Sequence, residues 1–161
     1  MARDSWGLKG EGSAPAGYWV PRQNFILGQW VRHAGWWPDH QMRLFRKDSG
    51  RYDENRDPHE IVVLQGESGF LLEPLVHHNY LTITQLFSKQ NAYAHREAAS
   101  LHSHGVRLKP HWLLTQPAQE FYRRYFLWEG YKGGITGLFL SAFMAWYRFL
   151  VYALLAARGG L

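Results

Sequence analysis

The sequence contains no cysteine, so disulfides and thiolate metal sites are excluded. Its first residues, "MARDSWGLKGEGSAPAG", lack the apolar run of a secretory signal, and we interpret residues 1–17 as a flexible leader. No internal repeat is visible. A chain of 161 residues, 46% of them apolar, is long enough for one domain with a hydrophobic core and short for two.

Acidic side chains are the scarcer charge. Asp and Glu number 13 against 18 Lys and Arg, and the net charge of +5 favours an anionic partner: nucleic acid, an acidic lipid surface or a phosphorylated ligand. The basic residues lie among apolar helical segments rather than along a polar groove. We therefore predict no nucleic-acid partner.

Strand patterns fill the first half of the chain. "YWVPRQNFILG" predicts a strand that ends at Gly28, and "QMRLFRK" predicts another. Between them, "QWVRHAG" is interpreted as a short helical turn or loop. "HEIVVLQGESGFLLEPLVHHNY" has two apolar runs around a glycine-containing turn, which predicts a hairpin.

Helical patterns fill the second half. Apolar residues at three- and four-residue steps predict a helix from about Thr82 to His104, with Gly105 as its C-terminal cap. A second helix is predicted to begin at Pro117, since proline suits the first turn. A third spans roughly Ile135 to Ala157.

These patterns predict an α+β fold, with a short antiparallel sheet followed by three helices. Residues 18–116 would form the body of the domain. Residues 117–161 would form an arm whose two helices are amphipathic or membrane-associated and project from the sheet.

The third predicted helix, "ITGLFLSAFMAWYRFLVYALLAA", carries one charge, Arg148. About 20 apolar residues suffice to cross a bilayer, but an arginine near the middle is costly there. Interfacial or re-entrant membrane contact is therefore favoured over spanning, and a buried core helix is the alternative. Gly137, Ser141 and Ala145 form a stripe of small residues that predicts the close approach of another helix.

Six segments from Tyr18 onward, in this order, resemble the C-terminal half of a bacterial family 2 glycosyltransferase of the type that builds lipopolysaccharide cores and cell-envelope glycans. They are "YWVPRQNFILG", "GWWPDHQMRLFRK", "PHE", "GFLLEPLVHHNY", "FSKQNAYAHREAASLHSHG" and "FYRRYFLWEGYKGGITGLFLSAFMAWYRFLVYAL". The resemblance implies a remnant of a GT-A fold. It also implies transfer of a sugar from a nucleotide sugar to a lipid-linked or cell-envelope glycan acceptor.

The resemblance also shows departures from the family. No nucleotide-binding βαβ series precedes Tyr18, and the Asp-x-Asp motif that holds the metal is absent. We therefore expect a separate N-terminal half to supply the nucleotide site, and this chain alone to be inactive. A divalent metal, Mg or Mn, is expected only in the complete enzyme, and no metal site is predicted here. Relatives usually have an acidic residue in place of Gly133, which weakens a role for that loop in acceptor binding.

The resemblance places a base at Glu60, in "PHE", because an acidic residue near this point serves that role in the wider family. His59 would orient Glu60 or contact the diphosphate. The alternatives are an edge-strand glutamate and a histidine in water. Asp39 is the second candidate carboxylate, as an acceptor or donor contact, although a Pro-Asp pair more often closes a turn.

Two further residues are predicted to bind substrate. Arg43 has a planar cation suited to phosphate oxygens, and a cross-strand salt bridge is an equally good interpretation. Trp37 could stack on a sugar, although tryptophans at a hairpin base are usually core. Of the adjacent His77 and His78, one would approach the metal in a complete enzyme. They point to opposite faces of a strand, which argues against a shared zinc site.

Two function classes remain open. One is the acceptor-binding and membrane-docking part of a glycosyltransferase, located at the cytoplasmic face of the bacterial inner membrane. The other is a non-catalytic, membrane-associated interaction module.

Overall fold

The computed structural model describes residues 15–52 and 62–159. Strand β1 (Gly17–Ile26) is the longest strand and the centre of a five-stranded mixed sheet. The other strands are β2 (Gln29–Trp30), β3 (Asp39–Phe45), β4 (Gly50–Tyr52), β5 (Val62–Leu64), β6 (Ser68–Phe70) and β7 (Leu75–Tyr80). On one edge of β1, antiparallel β3 pairs with its first part and antiparallel β2 with its end. On the other edge, parallel β6 pairs with its start and parallel β7 with its second half.

The hairpin predicted around the glycine-containing turn does not form. β5 pairs with β4 in a separate two-stranded sheet, and β6 instead pairs with the start of β1. The backbone N–H of Ala16 donates to the carbonyl oxygen of Glu67 at 2.8 Å, which holds the turn beside β1. Long-range pairing therefore overrides the local turn signal. The predicted class, α+β with small antiparallel sheets followed by three helices, is confirmed.

The turn between β1 and β2 consists of Leu27 and Gly28, both with positive φ (52° and 77°). Two such residues between paired strands form the type I′ turn, which matches the twist of a hairpin. The interpretation of "QWVRHAG" as a helical turn or loop was therefore wrong at its start, because Gln29 and Trp30 are strand residues paired with Ile26 and Phe25.

Three helices follow the sheet: α1 (Ile83–Ser103), α2 (Trp112–Tyr122) and α3 (Gly134–Ala157). The first is confirmed with its caps. Thr82 Oγ1 accepts from the backbone N–H of Gln85 at 3.1 Å, and Gly105 follows the helix with a φ of 70°. The third also agrees with its prediction.

The prediction that the second helix begins at Pro117 was wrong. It begins at Trp112 and contains Pro117 near its middle. A proline inside a helix removes one backbone donor and crowds the carbonyl group four residues earlier, and the packing of α2 against α3 offsets this cost. A π-helical turn (Arg123–Leu127) and a 3-10 turn (Gly130–Gly133) then lead into α3.

Helix α3 is part of the core rather than a projecting arm. Leu140 and Phe143 of α3 pack in one cluster with Ile26 of β1, Tyr80 of β7 and Leu86 of α1. A second cluster joins α1 and α3 further along their length. The expectation that the last two helices project from the sheet was therefore wrong, because α3 buries one face against β1 and α1.

The predicted small-residue stripe lies at a close contact. Gly137 and Ser141 are buried, and a Cβ on Gly137 would come closer to the carbonyl oxygen of Gly130 than real Cβ atoms do. The element that approaches is the turn after α2 rather than a whole helix.

The positive charge of Arg148, inside the apolar run of α3, is neutralised by Glu97 of α1. Arg148 Nη1 donates to Glu97 Oε1 at 2.7 Å, and the hydroxyl of Tyr147 donates to Glu97 Oε2 at 2.5 Å. Burial and the carboxylate neighbour raise the pKa of Tyr147, so its hydroxyl stays a donor. Arg148 therefore has a protein partner and does not require water or lipid headgroups.

This contact predicts coupling between α1 and α3. Arg148→Leu and Glu97→Gln should each destabilise the fold by about 1–2 kcal/mol, because each strands a charge that is only about a quarter exposed. The double variant should cost about 1 kcal/mol less than the sum of the single variants. Urea denaturation of the four proteins measures this difference. Strict additivity would show that the two side chains do not interact in solution.

Candidate functional site

A polar patch lies on one face of the central sheet. Arg22 and Asn24 share a face of β1 because residues two apart on a strand point the same way. The register places Arg22 opposite Asp39 of β3, and Gln41 follows Asp39 on the same face. We call Arg22, Asn24, Asp39 and Gln41 the Asp39 cluster.

Asp39 is held by three side chains. Its Oδ2 accepts from Arg22 Nε and Nη2 at 2.9 and 2.6 Å and from Asn24 Nδ2 at 2.9 Å. Its Oδ1 accepts from Gln41 Nε2 at 3.0 Å. The Arg22 and Asp39 side chains are 22% and 23% exposed, so the cluster is firmly held yet open to solvent.

Asn24 connects the sheet to the loop above it. It is fully buried, and its Nδ2 also donates to the carbonyl oxygen of Trp36 at 3.1 Å. Its Oδ1 accepts a long bond, 3.5 Å, from Asn79 of β7. The position of Asp39 is thus set by β1 and β3, together with Trp36 in the loop between β2 and β3.

The charge state of Asp39 follows from these contacts. Burial alone would raise the pKa of the carboxyl, but the hydrogen bond from Asn24 and the charge of Arg22 outweigh it, and the pKa is lowered. Asp39 is therefore ionised at neutral pH. Oδ2 accepts three of the four hydrogen bonds, so Oδ1, which accepts one, is the oxygen left to accept from a substrate hydroxyl.

β7 contributes a histidine beside the cluster. His77 pairs with Asn24 in the parallel register, while His78 contacts the ring of Phe25 with centroids 5.4 Å apart. Burial lowers the pKa of His77, and the positive charge of Arg22 lowers it further. His77 is therefore neutral at pH 7.

A separate cavity lies between the β2–β3 loop and the end of the π-helical turn. Its volume is about 410 Å³. Its lining consists of Arg32, His33, Gly35, Trp37, Pro38, Leu127, Trp128 and Glu129. The Ala34 N–H donates to the Trp128 carbonyl oxygen at 2.9 Å, and Arg124 Nη1 donates to the Ala34 carbonyl oxygen at 2.8 Å, so both walls are fixed to each other.

Comparison with known proteins shows a similarity to a glycosyltransferase. The chain is 28% identical over 151 residues to the lipopolysaccharide core biosynthesis glycosyltransferase LpsC of Rhizobium meliloti (strain 1021). The alignment covers 90% of this chain and 54% of that relative, so the chain spans about half the relative's length. The chain is similar to part of a glycosyltransferase. No family model matches it, and no solved structure matches it significantly.

The predicted site residues fall into three groups. Asp39 lies in the Asp39 cluster, and Arg43 lies at the β-bulge of β3, where its positive charge adds to the lowering of the His77 pKa. Trp37 lines the 410 Å³ cavity and packs edge-on against Trp30, with centroids 5.7 Å apart. Glu60 and His59 lie outside the described residues, and their roles stay predictions.

Sequence reasoning missed Arg22, Asn24 and Gln41. For Arg22 and Asn24 the signal was present in "VPRQNFI", where three polar residues in a row interrupt an otherwise apolar strand. Such residues in a central strand require partners because an unpaired polar group is costly to bury.

The described residues do not provide a metal site. Within residues 15–52 and 62–159, no three His, Asp or Glu side chains come together as metal ligands. The Asp39 oxygens already accept four hydrogen bonds from three side chains. No chemical step is therefore assigned to a metal held by these residues.

The segment Gly130–Ala157 is long and apolar enough to associate with a membrane, and a third of its most apolar stretch is buried against the rest of the protein. A groove of about 240 Å³ lies at its start. Four of the residues that line it are exposed apolar side chains: Leu27, Ile83, Ile135 and Phe139. We call these four residues the apolar rim.

Proposed function

We propose that this chain is the acceptor-binding and membrane-docking part of a glycosyltransferase that elongates a lipid-linked or cell-envelope glycan. The observation that carries the proposal is the similarity to LpsC along 90% of the chain. The family 2 assignment and the GT-A fold belong to the same proposal. So does its location at the cytoplasmic face of the bacterial inner membrane.

The proposed chemistry is an inverting transfer. The acceptor hydroxyl oxygen forms a bond to the anomeric carbon while the bond from that carbon to the nucleotide diphosphate breaks. The hydroxyl proton passes to a carboxylate. Glu60 is the proposed base, with His59 orienting it. Asp39 and Arg43 are proposed to contact the substrate from the polar face of the sheet.

A nucleotide-binding part outside this chain is proposed to hold the sugar nucleotide. A divalent metal there, Mg or Mn, would neutralise the charge of the departing diphosphate. The alignment with LpsC, which covers 54% of that relative, leaves room in the relative for such a part.

The test is a fusion of the portion of LpsC outside the alignment to this chain. Transfer of a labelled sugar to lipooligosaccharide, with Mg²⁺ or Mn²⁺, should appear in the fusion and be lost with Glu60→Gln. The transfer activity of the fusion with Asp39→Asn is compared with that of the fusion with Glu60→Gln. If Asp39→Asn alone abolished transfer and Glu60→Gln did not, Asp39 would be the base. Absence of transfer in both the fusion and the chain, with membrane binding intact, would favour the non-catalytic module.

Membrane docking is proposed to occur through the apolar rim. Ile135 is 88% exposed, and Leu27 occupies a turn position with φ of 52° where asparagine or glycine would be easier to accommodate. A leucine kept at such a position, beside other exposed apolar side chains, suits insertion between lipids. The net charge of +5 complements an acidic lipid surface.

Vesicles of phosphatidylethanolamine and phosphatidylglycerol should therefore bind the chain. The variant Leu27→Asn with Ile135→Ser should bind at least about tenfold more weakly, because two large apolar side chains no longer enter the lipid. Co-sedimentation measures the affinity. Val63→Ser is the matched control: Val63 is also exposed, but it lies on β5, whose Leu64 approaches Gly17 at the opposite end of β1 from Leu27. Equal weakening by Val63→Ser would contradict a specific docking face.

A further inference from the structure

The cavity between Trp37 and Trp128 combines an aromatic ring, a carboxylate and two nitrogen-bearing side chains. We propose that it is a subsite for one neutral sugar ring of the glycan acceptor, with Trp37 as the stacking platform and Glu129 as the acceptor of hydrogen bonds from sugar hydroxyls. The proposal rests on the proposed function and gives it a location, a ligand class and a residue, Glu129, that sequence reasoning did not select.

The size and polar lining of the cavity fit one sugar ring. Its volume of about 410 Å³ is open to solvent on one side, which suits a ring of a longer glycan that extends beyond the subsite. Trp37 supplies an apolar ring surface for the C–H face of a sugar, while Arg32 and His33 supply nitrogen atoms at the rim. The side-chain carboxylate of Glu129 is 48% exposed and can accept from hydroxyl groups.

The walls of the cavity are rigid. Gly35 has a φ of 79°, and any side chain there would collide with the Trp128 ring. Arg123 and Arg124 lie over the same ring, 4.9 and 5.3 Å from its centroid. Because Trp128 is fixed by these contacts, the cavity is formed before a ligand arrives, which reduces the ordering cost of binding.

The backbone conformation of Glu129 is the observation on which the choice of this residue rests. Its φ of 53° is left-handed, and it directly follows the last residue of the π-helical turn and its cap, where glycine is the usual residue. The next residue is already a glycine, and a Cβ on Gly130 would lie 2.7 Å from the Arg124 carbonyl oxygen. A glutamate costs more than a glycine in this conformation, and its carboxylate, paired with Lys132 at 2.7 Å, belongs to the lining of the cavity, where it can also receive sugar hydroxyls.

This strain gives the proposal a distinctive test on the full chain. Glu129→Gly should raise the melting temperature, because glycine adopts the left-handed conformation without strain, and the exposed ion pair with Lys132 that is lost contributes little. The same variant should weaken sugar binding at least about tenfold. The melting temperature tests the backbone strain and the binding measurement tests the subsite: unchanged sugar binding by Glu129→Gly would remove Glu129 from it.

Saturation-transfer NMR with methyl glycosides of glucose, galactose and mannose at millimolar concentration measures binding without any transfer reaction. At least one glycoside should receive saturation from the aromatic protons. Trp37→Ala should abolish the signal and Glu129→Gln should weaken it. Lys132→Gln, which removes the ion-pair partner and keeps the carboxylate, should leave it unchanged.

Two results would overturn the proposal. One is the absence of saturation transfer to all three glycosides; the other is a signal that survives both Trp37→Ala and Glu129→Gln. Because the readout is binding, its failure is distinct from failure of the proposed function. An active fusion whose transfer is unaffected by either variant would keep the function and remove this subsite.

Discussion

Gly137→Ala is expected to destabilise the fold by about 3 kcal/mol, a large part of the typical total of about 5–15 kcal/mol. The new Cβ would overlap the carbonyl oxygen of Gly130, which is backbone and has no rotamer that would move it aside. Alanine on its own favours a helix over glycine by about 1 kcal/mol. The steric clash outweighs this gain because both partners are backbone of regular elements, Gly130 in the 3-10 turn and Gly137 within α3, so neither can move aside alone.

The matched control lies four residues earlier. A Cβ on Gly133 meets nothing within 4 Å, and its φ of −81° is ordinary for any residue. Gly133 is the N-cap of α3, where alanine is less favourable than glycine, so Gly133→Ala should cost at most about 1 kcal/mol. Thermal and urea denaturation of both variants measure the contrast. Equal stability of Gly137→Ala and Gly133→Ala would mean that the turn and α3 do not approach closely in solution.

The spacing of apolar residues along the sequence predicted most of the secondary structure correctly. α1 and α3 lie where apolar residues recur at three- and four-residue steps, and β1 and β3 lie where extended segments were predicted. These elements are long, and each buries one face, so the pattern and the packing agree.

The sequence did not reveal which strands pair with one another in the sheets. The two apolar runs around Gly66 were recognised as extended, but their partners lie in β4 and β1, and no local signal specifies a parallel pairing across more than 40 residues. The start of α2 was misplaced for a related reason. Pro117 is a good local boundary, yet packing of α2 against α3 extends the helix back to Trp112.

At the candidate site, too, one residue was selected from the sequence and the residues around it were not. Asp39 was selected from the sequence as a second candidate carboxylate, but the residues Arg22 and Asn24 that hold it come from β1, and only the strand register reveals that they meet. Glu129 gave no sequence signal, because neither its left-handed backbone nor the cavity can be read from "LWEGY". Geometry that depends on three distant segments is not encoded in a local pattern.

Asp39→Ala is expected to destabilise the fold by about 3–4 kcal/mol, chiefly through the groups it leaves behind. Arg22, whose side chain is 22% exposed, would lose the ion pair, and the fully buried Asn24 would lose one acceptor of its amide hydrogens. Such stranded groups bear their desolvation cost without compensation. Arg22→Leu with Asp39→Ala should therefore cost less than Asp39→Ala alone, because the charge is removed together with its partner.

Acid should reproduce part of this loss in the unaltered chain. The pKa of Asp39 is lowered by folding, so the unfolded state binds the proton more readily, and its stabilisation is complete above the unfolded pKa of about 3.9. That stabilisation disappears as the pH falls from there through the lower pKa of the folded state. His77 adds an earlier decline below its unfolded pKa of about 6.5, since folding also lowers its pKa.

Urea midpoints measured from pH 8 to pH 3 test both groups. His77→Gln should flatten the decline near pH 6 and leave the one near pH 4, whereas Asp39→Asn should flatten only the lower one. A urea midpoint of the unaltered chain that stayed constant over this whole range would contradict the burial and charge contacts assigned to the polar face. If Asp39→Asn retained both the stability and the acid response of the unaltered chain, the four hydrogen bonds at Asp39 would not hold the two strands together.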